Sequence, residues 1–104
     1  MPTNNGTTIP EPSGAQHRVR PQAVEEHLHL LAAVFDELEQ RRPPGFRYES
    51  FQLEDGVTFV DVVAGHQPGL LSDLTTWAPY RSTLDARCDQ PPVLETLTAT
   101  FTYP

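Results

Sequence analysis

Val57-Thr58-Phe59-Val60-Asp61-Val62-Val63-Ala64 carries apolar side chains on both sides of a strand. Side chains alternate across a strand, so Val57, Phe59 and Val63 point one way, and Val60, Val62 and Ala64 the other. A sheet in a small protein normally has one wet face and one dry face. Here both faces require cover, and 104 residues are too few for two covering layers. The simplest remedy is a second copy of the chain packed on the open face.

Upstream, Phe46 to Leu53 forms the other arm of a hairpin, because Glu54-Asp55-Gly56 between apolar runs is a strong turn signal. A two-residue Asp55-Gly56 turn sets the register. Leu53 then faces Thr58, Phe51 faces Val60 and Glu49 faces Val62. On the other side Gln52 faces Phe59, Ser50 faces Asp61 and Tyr48 faces Val63. The first side has more aliphatic bulk and is expected to pack on helices. The second, mixing aromatic and polar groups, suits an interface or a pocket.

Pro21 opens the best helix of the chain. Val24, Leu28, Leu31, Phe35 and Leu38 fall on one stripe, widened by Leu30 and Val34. Glu25 and Glu26 at its start and Arg41 and Arg42 at its end complement the helix dipole. Pro43-Pro44-Gly45 stops it. Trp77, Tyr80, Leu84 and Cys88 make a second helical stripe within Leu70 to Cys88, with Thr75 or Thr76 as N-cap so that Pro79 falls in the first turn. Val93 to Tyr103 alternates Leu97, Ala99, Phe101 and Tyr103 against four threonines, the pattern of a strand. The first strand is harder to place. His17-Arg18-Val19-Arg20 within Gln16 to Arg20 is a poor candidate, and Thr7-Thr8-Ile9 is the alternative. Residues 1–15 otherwise read as a flexible tail and residues 16–104 as one domain. Strand, helix, strand, strand, helix, strand is the α+β, ferredoxin-like βαββαβ order.

Composition excludes several function classes. The net charge is −7, from fourteen acidic residues against seven arginines and no lysine. Phosphate binding rests on a basic face, so nucleic acid is not an expected partner, and an anionic membrane surface is disfavoured for the same reason. Without lysine there is no Schiff base and no phosphate-loop lysine. Cys88 is the single cysteine, which rules out an internal disulfide and a thiolate metal cluster. No apolar run approaches the ~20 residues of a membrane span, and residues 1–14 lack the features of a signal peptide. A reducing, cytoplasmic setting is expected.

Pro-Pro-Gly-Phe-Arg-Tyr (43–48), Asp-Gly-Val-Thr-Phe-Val (55–60) and Arg-Cys-Asp-Gln-Pro-Pro-Val (87–93), in this architecture, resemble small actinobacterial proteins of the dimeric α+β-barrel group, akin to the antibiotic biosynthesis monooxygenase superfamily. The resemblance spans roughly residues 17–103. It implies a homodimer with two open sheet faces packed together, and a cofactor-independent oxidation of a quinol or an aromatic polyketide. Two signatures of the group are absent: the only asparagines are Asn4 and Asn5, and the second helix has no histidine of the kind that ligates haem. No cofactor is therefore expected.

Asp61 is the sharpest single residue, a carboxylate inside an apolar strand. Burial makes a carboxylate a better base; the alternative is a half-wet rim position opposite Ser50. Tyr48 and Gln52 share its face. Trp77 and Tyr80 either wall a pocket for a flat aromatic ligand or are core, and Arg81 either reaches the ligand's edge or pairs with Asp85 one turn on. His66, in a loop beside Gln67, is a further pocket candidate. His27 and His29 point to nearly opposite sides of a helix and do not make a metal pair. Cys88, on the buried helical stripe, is expected to be inert core rather than a nucleophile. The expected function is binding of a small aromatic or apolar molecule between sheet and helices. Asp61 and Tyr48 are the catalytic candidates. The alternative is a non-catalytic dimeric binding or accessory protein.

Overall fold

The hairpin pairs in the expected register, with Tyr48 opposite Val63, Ser50 opposite Asp61 and Gln52 opposite Phe59. The computed structural model describes residues 12–65, 68–101 and 103–104. Its elements are β1 (Ser13–Arg18), α1 (Val24–Arg41), β2 (Arg47–Gln52), β3 (Thr58–Ala64), α2 (Trp77–Ser82), α3 (Leu84–Arg87) and β4 (Val93–Thr96). Among the described residues the strands form one antiparallel sheet in the order β2-β3-β1-β4. This is the ferredoxin-like α+β arrangement, with the helices on one face.

The turn is longer than a two-residue one. Gly56 N–H donates to the Leu53 carbonyl at 2.9 Å, and Leu53 N–H donates to the Thr58 carbonyl at 2.9 Å. Asp55 tightens it by accepting from the Val57 and Thr58 amides and the Thr58 hydroxyl. Gly56 supplies the left-handed residue that the return requires, at φ +77°. The register survives because the extra residues lie outside the Leu53–Thr58 pair.

The two faces of the hairpin are the reverse of the expected assignment. Phe59, 1% exposed, joins Val19, Leu31, Val34, Leu74, Tyr80, Leu84 and Cys88 in the core beneath the helices, whereas Phe51 is 49% exposed. Aliphatic bulk was the wrong criterion. The polar members of the inner face satisfy one another, as described below, and its aromatic members stack on rings from the helices. The apolar set Phe51, Val60 and Val62 is left on the open face.

Three further elements differ from expectation. β1 occupies residues 13–18, neither 16–20 nor the region of Thr7-Thr8-Ile9, which lies outside the described residues. Val19 is not in the strand but bridges to Cys88. The second helical stripe is divided between α2 and α3 at Thr83, although Tyr80, Leu84 and Cys88 are buried as a stripe should be. β4 keeps four residues only, and Phe101 and Tyr103 beyond it are almost fully exposed. In α1, fully buried His27 displaces Leu28 to a half-exposed position, because His27 finds a partner inside the fold.

Glu37, on the buried side of α1, organises the entry to α2. It accepts from the Thr75 and Thr76 amides at 3.0 Å each and from both threonine hydroxyls, and pairs with Arg41 at 2.9 Å. These bonds, the Thr75 amide first, hold its carboxyl down to about 2 from 4.5. In the window between those values the unfolded chain binds the proton more readily than the folded one, so folding is favoured as pH rises. The stabilisation is complete above pH 4.5 and is lost as pH falls towards 2. Glu37→Gln should flatten the pH dependence of the urea midpoint across that window. An unchanged slope would contradict the assignment.

Gly65, at φ +71°, follows β3 where the chain passes Gly45, and a Cβ there would collide with the Gly45 carbonyl. Gly65→Ala is expected to lose about 1–2 kcal/mol from the left-handed backbone alone, with the collision adding to it. Denaturant unfolding measures the loss, and a neutral substitution would show that this crossing is loose.

Candidate functional site

Alternation along β1 turns Ser13, Ala15 and His17 to the helix side, beside Val63, Asp61 and Phe59 of β3. The helices do not fill all the space above them. A cavity of about 220 Å³ remains between the sheet and α2–α3, its wall including Tyr48, Asp61, Trp77, Tyr80, Arg81 and His17. Its lining is mostly apolar with a few polar groups, as in small-molecule sites.

Asp61 is 4% exposed and sits at the centre of a hydroxyl cluster. Ser50 Oγ donates to its Oδ1 at 2.5 Å; Tyr48 and Tyr80 hydroxyls approach Oδ2 at 3.3 and 3.4 Å. A buried carboxylate is tolerated when it is hydrogen-bonded in this way. Ser50 opposite Asp61 follows from the register, but Tyr80 reaches it from another element. Burial, then the neighbouring tyrosine and carboxylate, push the Tyr48 phenol far above its usual range; burial and Asp61 do the same for Tyr80. Both phenols therefore stay protonated and act as donors to Asp61. Aromatic contacts fix them: Tyr48 packs on Phe35 at 4.9 Å between ring centres, and Trp77 on Tyr80 at 5.3 Å.

The sequence candidates separate accordingly. Tyr48, Asp61, Trp77, Tyr80 and Arg81 come together around the cavity, and Arg81 also pairs with Asp85 at 3.6 Å. Gln52 does not join them: on the edge strand β2 it is exposed and donates to the Gly56 carbonyl at the hairpin turn. His66 lies outside the described residues. Cys88 is buried, and burial pushes its thiol up. Among the described residues no three metal-ligating side chains are gathered, and no helix is long and apolar enough to cross a membrane.

Sequence reasoning missed His17, His27 and Arg87, all nearly or fully buried. Arg87 Nε donates to His27 Nδ1 at 3.2 Å, Nη2 to the Tyr80 carbonyl at 3.0 Å and Nη1 to Thr83 Oγ1 at 2.5 Å, and its guanidinium lies over the Tyr80 ring. Burial, aided by Arg87, lowers the His27 pKa to about 4, so His27 is neutral with its proton on Nε2. His17 stands against His27 and stacks on Phe59, with ring centres 5.3 and 6.0 Å away. Burial lowers its pKa too; Asp61 opposes that, and Arg87 and Arg81 reinforce it. Neither ring nitrogen of His17 has a hydrogen-bond partner. The available signal was the oddity of a histidine where a central strand should be apolar.

No protein-family model matches the sequence, and no protein of curated function matches it. Solved structures do match. Rv0793 from Mycobacterium tuberculosis superposes with a TM-score of 0.67 at 20% identity, covering 89% of this chain and 97% of that one. A crystal structure of an antibiotic biosynthesis monooxygenase gives 0.67 at 17% identity, covering 86% and 97%. SnoaB, a cofactor-independent oxygenase from Streptomyces nogalater, gives 0.60 at 20% identity, covering 91% and 98%. The fold is that of antibiotic biosynthesis monooxygenase-like proteins; at these identities the likeness establishes the fold alone.

Proposed function

We propose that this chain binds a small aromatic molecule between its sheet and helices and oxidises a quinol-type substrate with dioxygen, without a cofactor. The observation that carries the reading is the cavity itself, aromatic-walled and bounded by a buried carboxylate. A cavity of roughly 150 Å³ with apolar walls takes benzene, so about 220 Å³ suits one or two fused rings. Asp61 is the carboxylate placed to take the substrate's hydroxyl proton, and Tyr48 holds Asp61 in place. The resulting electron-rich ring reacts with dioxygen directly: one oxygen atom enters the ring, the other leaves as water, and the quinol becomes a hydroxyquinone. SnoaB, of the same fold, is a cofactor-independent oxygenase, which supports the choice of chemistry.

The same reading makes the protein a homodimer in the cytoplasm. Phe51, Val60 and Val62 on the open face of the sheet form an apolar surface suited to a second copy, with exposed Val93 further across it beyond Gln16. One observation favours a non-catalytic binding protein: both Asp61 oxygens already accept hydroxyl hydrogens. Oxygen uptake separates the two. The purified protein should consume dioxygen with reduced naphthoquinols faster than buffer does. A rate no higher than buffer leaves the binding role in its place.

A further inference from the structure

The cavity runs across the width of the sheet. Its wall takes Leu94 from β4, Ala15 from β1, Asp61 from β3 and Tyr48 from β2, which is the order of the strands. On the β4 side the wall is open: Leu94 is 70% exposed, and Ser13 of neighbouring β1 is exposed as well. On the β2 side Tyr48 closes it. Behind Tyr48 lies a second hollow instead of packed core. This is a groove of about 370 Å³ between the end of α1 and β2, with Phe35, Leu38 and Phe46 on its apolar side. Among the described residues Tyr48 alone lines both spaces. Its ring is gripped from both: Phe35 and Phe46 stand 4.9 and 6.3 Å from it on the groove side, and Trp77 stands 6.4 Å from it on the cavity side. Its hydroxyl approaches Asp61 at 3.3 Å. Aromatic pairs at these distances attract, so turning the ring aside would forfeit three contacts and a hydrogen bond together.

We propose that Tyr48 is the specificity-determining residue of this site, a fixed partition between cavity and groove that excludes ligands longer than two linearly fused rings. This rests on the cavity being the binding site. A flat ligand entering past Leu94 and Ser13 reaches Asp61 with its leading ring and stops against Tyr48. A third ring in line has room only where the Tyr48 ring stands and in the groove beyond it. Other apolar walls of the cavity lack this property. Leu84, 5% exposed, belongs to the core cluster, so shortening it widens the cavity locally and connects it to nothing. At the groove, Glu39 and Arg42 pair with each other, and an apolar ring arriving there would meet no unpaired charge from either.

Fluorescence titration with naphthalene-2-methanol and anthracene-2-methanol tests the assignment, because the two differ by one ring in line. The wild-type protein should bind the naphthalene about tenfold more tightly. Tyr48→Phe, which keeps the ring, should retain that preference. Tyr48→Ala should reverse it, whereas Leu84→Ala should not. In the unaltered protein with labelled leucine methyls, the naphthalene should shift Leu84, in the cavity, and leave Leu38, in the groove, where it was; this readout requires no variant to fold. The assignment is overturned if wild type binds both probes alike, if folded Tyr48→Ala still rejects the anthracene, or if Leu38 responds together with Leu84. Binding of neither probe by wild type or by folded Tyr48→Ala is a different failure: it removes the cavity as a site, and the partition with it.

Discussion

Phe59→Asp is expected to unfold the protein, whereas Val60→Asp, one residue along, is expected to leave it folded and monomeric. Phe59 is 1% exposed, with its ring 4.6 Å from that of His27 and 6.0 Å from that of His17. Deleting a buried phenylalanine side chain alone destabilises by about 3–5 kcal/mol. Aspartate adds an unpaired charge in a dry site, which is more costly still. Against a typical stability of ~5–15 kcal/mol the sum leaves little or nothing. Val60 points to the opposite face, half-buried beside Phe51. A charge there interrupts the surface offered to a second copy and leaves the core alone. Circular dichroism reports folding, and light scattering reports mass. A folded, monomeric Phe59→Asp alongside an unfolded Val60→Asp would reverse the two faces.

Asp61→Asn is expected to preserve the fold and lower quinol-dependent oxygen uptake by about 10²–10⁴-fold, the range for removing a positioned acid–base group. Asparagine has the same shape, its oxygen still accepts, and the Ser50, Tyr48 and Tyr80 hydroxyls can rotate to suit its amide. What disappears is the negative charge at the end of the cavity. Tyr48→Phe should have a smaller effect, because Tyr80 approaches the same oxygen. Folded Asp61→Asn with wild-type uptake would remove Asp61 from the chemistry. A wild-type protein that itself shows no uptake would favour the binding role.

The stretch from Val57 to Ala64 determined a good deal by local chemistry. Asp55 and Gly56 dictate the turn, the turn dictates the register, and the period of two dictates which residues share a side. Tyr48, Ser50 and Asp61 were therefore neighbours on paper. The same is true of α1, whose ends are marked by Pro21 and by Pro43-Pro44-Gly45. Which side of the hairpin faces the helices was not decided there. Both sides are apolar enough, and the choice depends on rings and hydroxyls from distant elements: Phe35, Trp77 and Tyr80.

His17 and His27 show the limit most clearly. Ten residues apart in sequence, they become neighbours only when β1 lies in the centre of the sheet and α1 crosses it. Arg87 reaches them from the end of α3. Periodicity reports burial of apolar residues and says nothing of polar ones buried by pairing across the fold. The chain by itself thus determined the pairing of its hairpin and its long helix, because those rest on contacts between near neighbours. The inner face, the cavity and the orphaned imidazole were decided by tertiary packing, because each depends on groups brought together from separate elements.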